Sequence, residues 1–358
     1  MSTTRRKVLA ALASGSLTVS ANGQNNGSIE AISEIRGAGA SFPSKVYKRW
    51  ADRYASLGRT RILYEPTGSG DGIKQAQART VAFGGTDSPL TPTLLQQHGL
   101  VQIPTVVGGV VPVVNLPGIE NNRLLLDGPT LADVMAGAID RWDDRRIRTL
   151  NPGLPLPSRP IVRVVRSDRS GTSEGFSRYL ALMSTDFRTA VGAGSLPKWP
   201  GSVRAEQGND GVAAATARTE GAITYVSFDR VGAPGLTPVR LVNADGRSAV
   251  ASEAGFRAAI RASDLHAKGD DLAPLLHQPG ADTWPITLTS FVLLDARPKN
   301  PAVAEAALRF VYWCFMHGDS LTQGTGFAAL PVSVQARLAS RLNTVRGPDG
   351  QSMNFVVL

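Results

Sequence analysis

The sequence predicts an α/β protein with two lobes. Its 358 residues, 42% of them hydrophobic, form a chain longer than the ~250–300 residues at which a single core stops growing. Short strand-like runs alternate with helical patterns, and 37 glycines and 23 prolines supply turns between them. These observations favour a layered α/β architecture over a helix bundle.

The N-terminus has the pattern of an export signal. Basic residues at 5–7 precede a short apolar run at 8–19, which small residues follow. The run is too short to cross a membrane. The basic residues suit a general or a twin-arginine signal alike. We predict a signal peptide over residues 1–21 and a polar, flexible leader over residues 22–34.

The charge distribution and the histidine and cysteine content indicate which ligands the protein can bind. The net charge is +9, but the basic residues are spread along the chain without basic runs or interleaved aromatics, so we expect no nucleic-acid binding. A positive surface would still steer small anions. Four scattered histidines and one cysteine give no metal-ligand spacing. Cys314 lies in an apolar run and is predicted to be a buried hydrophobe.

Two turns of the first lobe are predicted to open helices. Residues 37–43, Gly-Ala-Gly-Ala-Ser-Phe-Pro, precede apolar residues that recur at helical spacing from Val46 to Tyr54. Residues 67–72, Thr-Gly-Ser-Gly-Asp-Gly, follow a strand at 62–64 and precede a second helix. These glycines resemble a phosphate loop, but the Gly-Lys-Ser/Thr ending of a nucleotide site is missing.

Two buried strands come next. A strand is predicted over residues 81–86, with Asp87 at its carboxyl end, where open α/β sheets place ligands. Taken alone, Asp87 is better explained as a helix or turn cap before Pro89. The apolar run over residues 106–114 predicts a long strand that continues from the first lobe into the second.

The remaining elements complete both lobes. They are predicted as helices at 131–135, over 137–152, at 303–316 and at 332–342, a segment at 208–213 that precedes another helix, and strands at 223–226 and 284–294. The last of these strands would return the chain to the first lobe. We therefore assign residues 35–113 and 284–358 to lobe I and residues 114–283 to lobe II.

The turn at residues 166–172, Arg-Ser-Asp-Arg-Ser-Gly-Thr, is the main candidate for a binding site. It lies between an apolar strand at 160–165 and a helix, whose first backbone N–H groups have no partners within the helix. The helix dipole favours negative charge at that end. Arg166 adds a planar donor fork suited to phosphate or carboxylate oxygens, and Asp168 is spaced to orient it. The alternative is an ordinary helix cap with a surface ion pair.

The ordered set of motifs resembles the phosphate-binding proteins of bacterial ABC phosphate importers. The resemblance covers about residue 37 to residue 342 and rests on residues 37–43, 68–72, 83–89, 137–152, 166–172, 198–200, 208–212, 223–226 and 284–287. It implies a type II periplasmic binding protein: two α/β lobes, each a mixed sheet flanked by helices, a crossed hinge, and one phosphate in the cleft between the lobes. It also implies a periplasmic monomer that delivers phosphate to a membrane permease, without a cofactor, a metal or a catalytic residue.

The resemblance also transfers ligand contacts residue by residue. They fall on Ser41, Phe42 (through its backbone N–H), Ser69, Asp87, Arg166, Ser170, Gly171 and Thr172, with Asp168 supporting Arg166. The family usually has threonine at the position of Ser41, so the hydroxyl is kept. It has serine or glycine where this chain has Gly70 and Asp71, so Asp71 adds a carboxylate near an anion site. Arg169 replaces a common glycine and adds positive charge at the cleft mouth.

Asp87 is predicted to set the anion selectivity. A carboxylate facing an anion is repulsive unless the ligand supplies a proton between them. Phosphate at neutral pH carries such a proton, whereas sulfate carries none. A site built to pair a ligand O–H rejects the analogue that lacks it by roughly 10⁴–10⁵. Arsenate and sulfate, the other tetrahedral oxyanions, are the alternative ligands.

An enzyme is the remaining alternative. A phosphoester or acyl hydrolase would use Ser170 or Ser41 as the nucleophile, which needs a base within hydrogen-bond reach. Ser170 is not in a Gly-x-Ser-x-Gly elbow, and none of the four histidines has a sequence context that suggests a base. We therefore predict a binding protein and not an enzyme.

Overall fold

The structure is a computed structural model that describes residues 32–356. The predicted signal peptide, residues 1–21, lies outside the described residues, as does most of the predicted leader, residues 22–34. The first strand, β1, begins at Glu34. Strands and helices then alternate along much of the chain, as predicted for an α/β protein.

The first half of the chain alternates strands and helices up to the long strand β4. Its elements are β1 (Glu34–Gly39), α1 (Ser44–Ala55), β2 (Arg61–Glu65), α2 (Ser69–Ala78), β3 (Phe83–Thr86), α3 (Pro92–His98), β4 (Leu100–Val114), β5 (Leu125–Leu126), α4 (Gly128–Ala136), α5 (Arg145–Leu150), β6 (Val162–Arg166) and α6 (Gly171–Met183).

The second half adds shorter elements and then returns through β12. Its elements are α7 (Thr185–Ala190), β7 (Arg204–Glu206), α8 (Gly208–Ala217), β8 (Ala222–Ser227), a 3₁₀ turn (Phe228–Arg230), β9 (Thr237–Pro238), β10 (Arg240–Val242), β11 (Ser248–Ala249), α9 (Glu253–Ala262), α10 (Asp264–Ala267), β12 (Thr287–Asp295), α11 (Pro301–Thr322), β13 (Phe327–Ala329) and α12 (Val332–Leu342).

The main sheet runs through both lobes in the order β2-β1-β3-β12-β4-β8-β6-β7, and β9 and β13 also pair with β4. In lobe I, β1 lies parallel to β2 and β3, and β12 lies antiparallel between β3 and β4. In lobe II, β6 lies parallel to β7 and β8. A small second sheet contains β11, β10 and β5. The mixed sheet flanked by helices agrees with the predicted fold class.

β4 joins the two lobes. It pairs with β12 over residues 100–109 and with β8 over residues 110–114. The predicted sheets of the two lobes are therefore continuous, because this strand of 15 residues is long enough to change partners along its length. The returning chain crosses beside it: Trp284 Nε1 donates to Val110 O at 2.9 Å, and Val110 N donates to Ile286 O at 2.8 Å.

The strands next to this crossing are buried on both faces. Every residue of β8 is buried, and so is every residue of β12 except the last. Such strands require helices on both sides of the sheet. The apolar helix α11 supplies part of this cover and contains Cys314, whose predicted burial is confirmed at 6% exposure. Among the described residues no helix is both long and apolar enough to cross a membrane.

Two local predictions are wrong. Residues 137–152 are helical only in α5, because Gly137 takes the left-handed conformation, with φ of 81°, and ends α4. The chain from there to Asp144 is irregular and includes an isolated bridge between Arg141 and Pro160. The motif at 208–213, which was predicted to precede a helix, itself forms the first turns of α8.

Candidate functional site

Four loops that leave the carboxyl ends of parallel strands carry the predicted contacts. β1 leads to Ser41, β2 to Ser69, β3 to Asp87, and β6 ends at Arg166. Because ligands of open α/β sheets bind beyond these strand ends, the loops are placed where a site is expected. All predicted contacts are buried: Ser41, Phe42, Ser69, Asp87, Arg166, Ser170, Gly171 and Thr172.

The start of α6 lies against the loops of lobe I. A Cβ atom placed on Gly171 would lie 2.7 Å from Ser69 Oγ and 2.6 Å from Asp87 Cβ. Both distances are shorter than real Cβ contacts, so only glycine allows this approach. The structure therefore brings together residues that are far apart in the sequence and come from both predicted lobes.

Further contacts join the lobes around the site. Gly70 N donates to Arg169 O at 2.9 Å at one side of the cleft. At the other side, Arg230 donates to Phe42 O at 3.3 Å and to Ser44 Oγ at 2.8 Å. These hydrogen bonds hold the two predicted lobes together beside the predicted ligand contacts.

The turn before α6 has the predicted anion-binding geometry. Ser170 Oγ accepts the N–H of Ser173 at 3.1 Å and so caps the helix. The helix begins at Gly171, and the N–H groups of its first turn have no acceptor within the helix. The capping alternative is therefore correct for Ser170, yet it leaves N–H groups and the positive end of the dipole at the site.

Arg166 and Asp168 form the predicted pair, but in a buried environment and not on the surface. Arg166 Nε donates to Asp168 Oδ1 at 2.7 Å, Arg166 Nη2 donates to Oδ2, and the Arg166 side chain is 1% exposed. Burial raises the pKa of Asp168, but Arg166 and the N–H of Gly208 outweigh it and hold the pKa below its ordinary value. Arg166 Nη1 is buried without an acceptor among residues 32–356. The guanidinium is thus fixed on one side by Asp168 and has donor capacity left for an anion.

Asp87 is a buried carboxylate whose two oxygens differ in how closely they are hydrogen-bonded. Ser290 Oγ donates to Oδ1 at 2.5 Å, whereas Ser69 Oγ lies 3.4 Å from Oδ2. Burial raises the pKa of Asp87 to about 7, although Ser290, the charge of Arg166 and Ser69 all act to lower it. Oδ2 is therefore the oxygen with capacity for another donor.

The raised pKa predicts how stability depends on pH in the phosphate-free protein. Between the ordinary pKa of 3.8 and about 7, the unfolded chain releases the Asp87 proton while the folded chain retains it, so rising pH destabilises the fold. We expect Asp87→Asn to gain on the order of 4 kcal/mol of unfolding free energy over wild type between pH 4 and 8. Denaturant unfolding at several pH values checks this, and a difference that does not change with pH would contradict it.

Sequence reasoning missed three residues that support the site. Ser290 of β12 holds Asp87, and Arg230 of the 3₁₀ turn contacts the start of α1. Asn209 donates from its side-chain amide to Ser41 Oγ at 3.0 Å and to Thr172 Oγ1 at 3.3 Å. The motif at 208–212 was the one available signal for Asn209, but nothing in the sequence assigned it a role.

Asp71 and Arg169, the two residues near the cleft that differ from the family pattern, have different surroundings. Gln75 Nε2 donates to Asp71 Oδ2 at 2.5 Å, one turn further along α2, so the extra carboxylate is engaged by its own helix. Arg169 is exposed, and its Cβ would lie 2.5 Å from a Cβ placed on Gly70. Gly70 is thus required by the close approach of the Arg169 side chain.

Comparisons with known proteins identify the family. Residues 18–316 match the family described as a PBP superfamily domain. The phosphate-binding protein PstS of Haemophilus influenzae is 38% identical over 310 residues, which cover 87% of this chain and 92% of the relative. The chain belongs to the PstS family of phosphate-binding proteins within the PBP superfamily.

A second relative agrees with the family, and a solved structure agrees with the fold. PstS of Xylella fastidiosa is 39% identical over 298 residues, which cover 83% of this chain and 82% of that protein. A crystal structure of a phosphate-binding protein from Stenotrophomonas maltophilia superposes with a TM-score of 0.68 at 22% identity, covering 90% of this chain and 96% of that one. The predicted type II binding-protein fold is confirmed.

In this PstS family member, the two serines considered as nucleophiles are held by N–H donors. Ser170 Oγ accepts from Ser173 N, and Ser41 Oγ accepts from both nitrogens of Asn209. Within residues 32–356, no group of three or more His, Cys, Asp or Glu side chains is arranged to hold a metal ion. Among the predicted contacts, Asp87 is the only carboxylate.

Proposed function

We propose that this protein binds inorganic phosphate with high affinity in the periplasm and delivers it to an ABC-type membrane permease for import. It acts as a monomer, and it is a binding protein and not an enzyme. The observation that carries the proposal is a pair of buried groups with unused hydrogen-bonding capacity, Arg166 as a donor and Asp87 as an acceptor. The relatives named phosphate-binding protein PstS support the choice of ligand.

The ligand lies between the lobes, with its charged oxygens toward lobe II. Arg166 and the N–H groups that start α6, with Ser170, Gly171 and Thr172, receive those oxygens. Ser41, the N–H of Phe42 and Ser69 complete the donor set from lobe I, and Asp168 holds the Arg166 fork. Donors fixed in a buried site need no reorganisation when the anion arrives, so they stabilise it strongly.

The protonated oxygen of phosphate faces Asp87. Its O–H donates to Oδ2, which Ser69 engages only at 3.4 Å, while Ser290 keeps Oδ1 occupied. Sulfate offers no proton there, so when Asp87 is ionised, above its pKa of about 7, sulfate would set two negative oxygens against each other. Arsenate has the charge, shape and protons of phosphate, so it competes as a weaker ligand.

Equilibrium dialysis against radiolabelled phosphate tests the proposed function. We expect one phosphate per chain after bound ligand is removed by unfolding and refolding, and no displacement by excess sulfate. An absence of binding would overturn the proposal. Turnover of a chromogenic phosphate ester by the pure protein would revive the hydrolase alternative.

Phosphate is expected to close the two lobes, with boundaries at residues 35–113 and 284–358 for lobe I and 114–283 for lobe II. The contacts of Gly70 with Arg169 and of Ser44 with Arg230 cross these boundaries and would break on opening. Small-angle scattering should show a smaller radius of gyration when phosphate is added to phosphate-free protein. The same profile with and without phosphate would argue against lobe closure.

A further inference from the structure

We propose that Asn209 is a positioning residue that directs the hydroxyl protons of Ser41 and Thr172 toward the ligand. The inference rests on the proposed phosphate function and deepens it. Asn209 lies in the first turn of α8, is 0% exposed, and was not among the predicted ligand contacts. It acts on the ligand through other residues, since its polar atoms are all engaged by the protein.

The orientation of the Asn209 amide is fixed by the backbone. Ser227 N donates to Asn209 Oδ1 at 2.9 Å. A backbone N–H can only donate, so the side-chain atom that faces it must be the oxygen. The amide NH₂ group must then face Ser41 and Thr172, and a flipped amide would leave the Ser227 N–H without this acceptor.

Asn209 occupies the acceptor capacity of the Ser41 hydroxyl. Its backbone N–H donates to Ser41 Oγ at 3.2 Å, and its Nδ2 donates to the same oxygen at 3.0 Å. A hydroxyl has two lone pairs and one proton. With both lone pairs engaged, Ser41 can contribute only its O–H to a further partner, and an anion is the partner that needs this donor.

Asn209 also donates to the hydroxyl of Thr172, which belongs to lobe II and not, like Ser41, to lobe I. Asn209 Nδ2 donates to Thr172 Oγ1 at 3.3 Å, which favours donation of the Thr172 proton elsewhere. One buried amide thus orients a predicted contact on each lobe. Because Asn209 belongs to lobe II and Ser41 to lobe I, this arrangement exists only when the lobes are closed, so closure itself prepares the Ser41 donor.

A double-mutant cycle tests this role. Phosphate affinity is measured by calorimetry for wild type, Ser41→Ala, Asn209→Ala and the double variant. We expect Asn209→Ala to weaken binding by about 10- to 100-fold, as for loss of a hydrogen bond to a charged group. In the Ser41→Ala background its effect should shrink at least severalfold, because the hydroxyl that it orients is already absent.

Two further variants separate positioning from folding. Asn115→Ala is the matched control, since Asn115 Nδ2 donates to Thr216 O and Ala217 O at the far end of the same helix. It should lower stability but leave phosphate affinity within about twofold of wild type, as expected for a distant, independent site. Asn209→Asp keeps the size and the acceptor for Ser227 N, but it removes the two side-chain donors and adds negative charge. It should bind phosphate more weakly than Asn209→Ala, and it serves as the test if the alanine variant does not fold.

The outcomes distinguish the two proposals. Failure of wild type to bind phosphate would overturn the proposed function itself. If wild type binds, additive effects of Asn209→Ala and Ser41→Ala, or wild-type affinity in Asn209→Asp, would overturn only the positioning role. A loss in Asn115→Ala equal to that in Asn209→Ala would likewise show that the effect comes from the integrity of α8.

Discussion

Arg166→Ala is expected to weaken phosphate binding on the order of 10²- to 10³-fold, as for the truncation of one partner in a buried charge pair. The change removes the buried cation that we propose binds the anion, and it leaves Asp168, a partly buried carboxylate, without its main partner. Both effects raise the energy of a bound anion. Calorimetric titration with phosphate at matched salt measures the loss.

Two controls define what the Arg166 result means. Asp168→Ala should weaken binding less, because it loosens the guanidinium fork without removing the charge. Arg178→Ala removes an exposed arginine of α6, the helix that follows the Arg166 turn, where it pairs with Glu174, and should leave affinity unchanged. Equal affinity in wild type and Arg166→Ala would show that the site does not depend on this cation.

Asp87→Asn is expected to lower the preference for phosphate over sulfate by at least about 100-fold, out of the roughly 10⁴–10⁵ that pairing of a ligand O–H can provide. Ser290 donates to Oδ1 in the wild type. If this bond is kept in the variant, the new NH₂ group takes the position of Oδ2, where it donates to a sulfate oxygen. The acceptor that rejects sulfate thus becomes a donor that accommodates it.

Asp71→Asn is the matched control for this selectivity change. Asp71 is also a carboxylate of lobe I near the cleft, but it is engaged by Gln75 within α2. Competition calorimetry with phosphate and sulfate should find unchanged selectivity in Asp71→Asn. Unchanged selectivity in Asp87→Asn as well would remove Asp87 from the account of anion choice.

The parts of the site that depend on residues close together in the sequence could be predicted from it. The strand, turn and helix around residues 166–172 are local, and the cap at Ser170 and the pair of Arg166 with Asp168 follow from spacing alone. Asp87 could be interpreted in two ways, because its decisive partner, Ser290, lies 203 residues further along the chain. Its raised pKa depends on burial by the folded protein, which no local pattern reports.

Other features could not be predicted because they depend on which distant segments pair in the fold or on the conformation of a single residue. The apolar run of β4 does not show where its partner changes from β12 to β8, since residues on both sides of that point are equally buried. The contact between Ser41 and Asn209 spans 168 residues and requires closed lobes. The end of α4 at Gly137 depends on one glycine within a pattern that continues as helical.

Competition calorimetry on the phosphate-free protein tests the central claim most directly. The claim is that Arg166 supplies charge from one lobe while Asp87 accepts a ligand proton from the other. We predict tight binding of one phosphate per chain, weaker binding of arsenate to the same site, and no competition from sulfate at a large excess. Sulfate binding with an affinity comparable to that of phosphate, or no binding of phosphate, would contradict the account.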